Sequence, residues 1–104
     1  HGLAGKTVVA FCGIGRPEKF FASLRALGAT VAEEMPYPDH HAFSDEEIMF
    51  ILETAARRGA VAVTTEKDHV RLSADARLMV ETLPVRIEFA APAEVAAMLA
   101  RLFK

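Results

Sequence analysis

The sequence predicts an α/β fold: a small open parallel sheet of four strands with helices on both faces. Three observations carry this prediction. Short apolar runs of strand length recur along the chain, as in strands buried on both faces of a parallel sheet. Segments with apolar residues at helical spacing alternate with them. Glycines and prolines mark the joints between the two. At 104 residues and 11.3 kDa there is room for one hydrophobic core, so residues 1–104 are read as a single domain.

Thr7-Val8-Val9-Ala10-Phe11-Cys12 is the first strand. Gly13-Ile14-Gly15 breaks it, and Pro17 suits a first helical position, where its preset φ and missing N–H do no harm. Phe20, Phe21, Leu24 and Leu27 follow at helical spacing, and Gly28 ends that helix. Thr30-Val31-Ala32 is the second strand. Met35 to His41 is expected to be irregular, because Pro36 and Pro38 hold their preceding residues extended. Ser44 with Glu47 is a capping-box pattern, and Asp45 and Glu46 suit a first helical turn. Ile48, Ile51, Leu52 and Ala55 form the helix's apolar stripe, and Gly59 ends it.

Ala60-Val61-Ala62-Val63 is the third strand. Thr64 to Asp68 reads as a polar turn leading into a short helix around His69 to Leu72. Ser73 to Leu83 is expected to be helical near Arg77 to Glu81. Pro84 introduces the fourth strand, Val85 to Phe89. Ala91-Pro92 begins a last helix with Val95, Met98, Leu99, Leu102 and Phe103 on one face. The sum is a Rossmann-like alternation, for which we expect strand order 2-1-3-4.

Composition narrows the function. The net charge is −2 and the pI about 6.1, without the clustered basic surface that a nucleic-acid partner requires. Hydrophobic residues make up 52%, with mean hydropathy +0.21. That excludes wholesale disorder and leaves some apolar surface for a neighbour. The single cysteine, Cys12, excludes an internal disulfide and a thiolate zinc cluster. At the end of a buried strand it reads as a small core residue. No apolar run approaches the ~18 residues of a membrane span, and no basic region followed by an apolar stretch opens the chain, so neither span nor signal peptide is expected.

In an open parallel sheet, ligands sit outside the carboxyl ends of the strands. Three conspicuous segments follow the first three strands: Cys12 to Pro17, Pro36 to His41, and Thr64 to Asp68. They gather Arg16, Asp39, His40, His41, Thr65, Glu66, Lys67 and Asp68 on one rim. Each segment has a plainer reading. Gly13-Ile14-Gly15 opens like a dinucleotide fingerprint, but Glu18 stands at the third glycine, and an acidic side chain there disfavours a phosphate. A tight strand-to-helix turn is the better reading. Thr65 with Asp68 matches a helix cap. Asp39-His40-His41 fits a metal site, a histidine oriented by a carboxylate, or an ordered loop. The residues alone favour the loop, since adjacent histidines often point apart. Gly5-Lys6-Thr7 is no Walker A motif, because it leads into a strand instead of following one.

These residues and their order resemble a known family. Gly5-Lys6-x-Val8-x-Ala10-Phe11-x-Gly13-Ile14-Gly15-x-Pro17-x-x-Phe20-Phe21, Leu24-x-x-Leu27-Gly28-Ala29, Tyr37-Pro38-Asp39-His40-His41 and Thr64-Thr65-Glu66-Lys67-Asp68-x-Val70-Arg71-Leu72 resemble the carboxyl-terminal half of tetraacyldisaccharide 4'-kinase. This is the lipid A 4'-kinase of Gram-negative bacteria. The match is dense through Leu72 and general afterwards. Cys12 stands where the family usually has a smaller residue.

The resemblance implies transfer of the ATP γ-phosphate to the 4'-hydroxyl of a tetraacyldisaccharide 1-phosphate, with Mg²⁺, at the cytoplasmic face of the inner membrane. It implies two α/β lobes, of which this chain is the second. The amino-terminal lobe would carry the P-loop, the metal-binding carboxylates and the membrane contact. This lobe would be soluble and inactive alone, its partners being the P-loop lobe and the lipid A disaccharide precursor. It also implies that His40 faces the catalytic cleft and that Asp39 orients it, with Arg16, Thr65, Glu66, Lys67 and Asp68 shaping the substrate or phosphate rim. No metal ligand is assigned to this chain. The alternative is an autonomous nucleotide- or phosphate-binding module using the same rim.

Overall fold

The computed structural model of the protein describes residues 3–83. Four parallel strands, β1 (Thr7–Cys12), β2 (Thr30–Pro36), β3 (Val61–Thr65) and β4 (Glu81–Leu83), form one sheet in the order β2-β1-β3-β4. The helices are α1 (Pro17–Ala26), α2 (Asp45–Arg57), α3 (Glu66–His69) and α4 (Ala74–Met79). This is the expected open α/β sheet in the expected order.

The central strand β1 is buried on both faces, and its alternation sorts the helices into two layers. Val8, Ala10 and Cys12 pack with Phe20, Phe21 and Leu24 of α1. Val9 and Phe11 pack on the other side with Ile48, Ile51 and Ala55 of α2 and with Ala76 of α4. Each fully buried Phe, Leu or Ile among these contributes roughly 1.5–3 kcal/mol. Pro17 occupies the first turn of α1, and Gly28 beyond it takes φ 99°, a conformation that favours glycine. The capping box of α2 forms in full, with Ser44 and Glu47 each accepting the other's backbone N–H.

Four local expectations need correction. β2 runs on through Met35 and Pro36, where irregular chain was expected. It is an edge strand, so Pro36 removes no ladder donor that the sheet requires. The chain also carries an irregularity there: Val8 pairs with Val31 but Val9 with Glu33. Ala32, the residue passed over, has its carbonyl oxygen bonded by Arg58 Nη2 at 3.0 Å. β3 extends two residues beyond Val63, carrying Thr64 and Thr65 into the buried sheet.

The helical turn after β3 is the polar segment Glu66–His69 itself, not His69 to Leu72, because Thr65 caps it directly. Leu72 is buried against the α2 face instead. Finally, a strand stands at Glu81–Leu83, where the helical reading reached Glu81. The helix stops at Met79, and Val80 is already extended (φ −126°, ψ 130°), which suits its β-branched side chain. The strand expected at Val85 to Phe89 and the helix from Ala91 lie outside the described residues.

Candidate functional site

The carboxyl ends of β1, β2 and β3 open on a cleft of about 530 Å³. Its lining comes from three segments: Gly13 to Arg16 with Lys19, Asp39 with His40, and Lys67 with Asp68, Val70 and Arg71. The rim inferred from strand topology is therefore a concave surface.

Two buried residues build its floor. Asp68 is 1% exposed and Thr65 is fully buried. Thr65 Oγ1 accepts the Asp68 N–H at 3.1 Å and donates to Asp68 Oδ2 at 2.8 Å. The same Oδ2 accepts the Gly13 N–H at 3.0 Å. Thr65 is thus the helix cap its sequence position indicated, and Asp68 ties the first rim to the third. A buried carboxylate satisfied in this way holds a loop at charge-assisted strength.

The second rim is hung on the first by its backbone. Tyr37 N donates to Cys12 O at 2.8 Å, and His40 N to Gly13 O at 2.9 Å. A Cβ on Gly13 would sit 3.1 Å from Pro38 O and 3.2 Å from His41 Cβ. Glycine here allows the two loops to touch. Neither fact requires a dinucleotide.

The adjacent histidines part. His40 has φ 62°, the one positive φ outside glycine among the described residues. Its side chain is 85% exposed beside the cleft, with Nε2 3.7 Å from Asp39 Oδ2. His41 turns to α2. Its Nε2 lies 2.9 and 2.8 Å from the two carboxylate oxygens of Glu47, and its ring stacks on Tyr37 at 5.0 Å. Phe43 meets both rings edge-on and meets Phe11 of β1 in the same way. The Ser44 backbone N–H, then His41, hold the Glu47 carboxyl below the usual glutamate range, against a smaller opposing effect of burial. Burial, then the Glu47 charge, push the Tyr37 hydroxyl up.

The other rim residues divide. Arg16 is exposed at the mouth, 3.5 Å from Glu18, and Lys67 lines the cleft, whereas Glu66 is exposed outside it. Lys19 and Arg71 line the cleft but were not singled out from the sequence. Helical spacing carried the signal: Lys19 follows Arg16 by one turn, and Arg71 follows Lys67. Arg16, Lys19, Lys67 and Arg71 make the lining cationic and suited to an anion. Among the described residues, no three His, Cys, Asp or Glu side chains gather to hold a metal ion. Asp39 is exposed and Asp68 is committed to the loops. Among the described residues, no helix is long and apolar enough to cross a membrane.

The family model described as tetraacyldisaccharide-1-P 4'-kinase matches residues 1–104. Curated proteins named tetraacyldisaccharide 4'-kinase are about half identical to the chain. The protein of Rhodospirillum rubrum is 50% identical over 96% of this chain and 30% of its own length. That of Methylorubrum extorquens strain PA1 is 49% identical over 96% and 31%, and that of Methylobacterium sp. strain 4-46 is 51% identical over 96% and 29%. The chain therefore spans about 30% of the length of these relatives. No solved structure matches it.

Proposed function

The chain belongs to the tetraacyldisaccharide-1-P 4'-kinase family, and we propose that it is the carboxyl-terminal lobe of a two-lobe lipid A 4'-kinase. In this reading the complete enzyme moves the γ-phosphoryl group of ATP to the 4'-hydroxyl of a tetraacyldisaccharide 1-phosphate, at the cytoplasmic face of the inner membrane. The amino-terminal lobe supplies the P-loop, the Mg²⁺ ligands and the membrane contact. The present lobe closes the cleft and is inactive alone. Mg²⁺ is assigned to no residue of this chain.

One observation carries the reading. His40 is held by its backbone in an unfavourable conformation, yet its imidazole stands open at the cleft beside Asp39. Strain of this kind collects where a side chain must be presented. Phosphoryl transfer depends mainly on positioning and electrostatics, and an imidazole can exchange protons near neutral pH. His40 thus presents its ring to the base or to the transferring phosphoryl group, and Asp39 orients it. Their 3.7 Å separation is one that often shortens when ligand binds. Arg16 and Lys67, joined by Lys19, supply positive charge for phosphate oxygens. Thr65 and Asp68 serve the site from below.

The test is His40→Ala in the full-length kinase. Turnover falls by at least ~100-fold, with unfolding temperature nearly unchanged. A folded variant with normal turnover removes His40 from the chemistry. The cationic lining also favours a second reading, an autonomous phosphate-binding module. Titrating the labelled chain with ATP and Mg²⁺ distinguishes them, since saturable shifts at Gly13 to Arg16 support that module.

A further inference from the structure

We propose that Arg71 is the positioning residue for His40. The proposal deepens the reading above and rests on it for its kinetic half. Arg71 Nη2 donates to the His40 carbonyl oxygen at 2.9 Å, across a separation of 31 residues. The N–H of the same residue is held by Gly13 O. Both backbone groups of His40 are therefore bonded, while its imidazole is left to the cleft.

The two holds return to one place. Gly13 N–H is bonded to Asp68 Oδ2, and Arg71 N–H is bonded to Asp68 O at 3.1 Å. Asp68, Gly13, His40 and Arg71 thus close a ring of hydrogen bonds linking all three rims. Asp68 is the buried corner of that ring, and Arg71 is its exposed one. The buried corner sets the loop's place. The exposed corner sets the peptide plane that follows His40, and with it the direction of the Cα–Cβ bond. A left-handed residue has few alternatives of equal energy nearby, so releasing its carbonyl lets the backbone relax and swings the imidazole. Arg71 also lines the cleft, so contact with the ligand itself is the competing role to be separated.

A double-mutant cycle in the full-length kinase separates them. Arg71→Ala lowers kcat about tenfold, as misplacement of a reacting group does, and leaves both KM values within about twofold. In a His40→Ala background the same change costs nothing further, and Arg71→Lys, which keeps a donor, recovers part of the loss. Unchanged turnover in Arg71→Ala overturns the proposal. So does a loss in the double variant equal to the product of the single losses, which is the mark of direct contact with ligand.

Amide hydrogen exchange on the 104-residue chain tests the clamp without any activity. Arg71→Ala speeds exchange at the His40 N–H, while the N–H groups of β1 stay protected. Unaltered exchange at His40 overturns the clamp. If His40→Ala leaves turnover normal, the kinase role of His40 fails, and the exchange experiment still decides whether Arg71 holds the loop.

Discussion

His40 and His41 are neighbours in sequence and opposites in surroundings. His41 belongs to the fold: its ring is stacked on Tyr37, braced by Phe43 and bonded to the carboxylate that caps α2. His40 adds no side-chain packing of that kind; its ring is 85% exposed with Asp39 Oδ2 3.7 Å from Nε2, and its main chain is gripped. Under the proposed function, the difference teaches where stability and activity separate on one loop. Energy that anchors the loop is spent at His41 and Asp68. The conformation at His40 costs energy and is kept.

Three substitutions probe this contrast, the largest effect first. Asp68→Ala strands the Gly13 N–H and the Thr65 hydroxyl in the buried floor, and lowers unfolding free energy by about 2–4 kcal/mol. Denaturant unfolding measures it, and a loss below about 1 kcal/mol would show that the floor does not depend on this carboxylate. His41→Ala removes a stacked ring and an α2 cap partner, for a loss of about 1–2 kcal/mol with turnover changed much less than by loss of His40. A stability equal to wild type would erase the distinction between the two histidines. His40→Gly runs the other way. Glycine accepts φ 62° without a Cβ clash, so the variant is as stable as wild type or up to about 1 kcal/mol more stable.

The smallest effect is one of pH. The Glu47 carboxyl is held below its ordinary value of 4.5, so its contribution is complete above that pH. It is lost as pH falls through the depressed value of the folded state. Acid titration of stability therefore shows a component below about pH 4.5 that Glu47→Gln removes. An identical acid profile in that variant would detach Glu47 from the His41 side of the loop.

Much of this was legible in the chain. Apolar runs and helical stripes placed β1, α1 and α2, and the Ser44–Glu47 pattern marked the cap that forms. Topology then brought the three rims together before any contact was known. What periodicity could not show was the work of long-range bonds. Nothing local says that Asp68 bonds Gly13 across 55 residues, or that Arg71 reaches the His40 carbonyl. Thr65 and Asp68 were therefore grouped with the exposed rim residues, although both are buried and only Asp68 lines the cleft. The strand at Glu81–Leu83 escaped the reading for a different reason. Strands of three residues are too short to show a period, and the neighbouring helix signal ran over it.

The central claim is that His40 is kept in its left-handed conformation for its imidazole and not for the fold. The most direct test is the turnover of His40→Gly in the full-length kinase, with its unfolding temperature measured on the same sample. The account predicts turnover reduced by at least ~100-fold in a protein no less stable than wild type. Turnover within about twofold of wild type would contradict it.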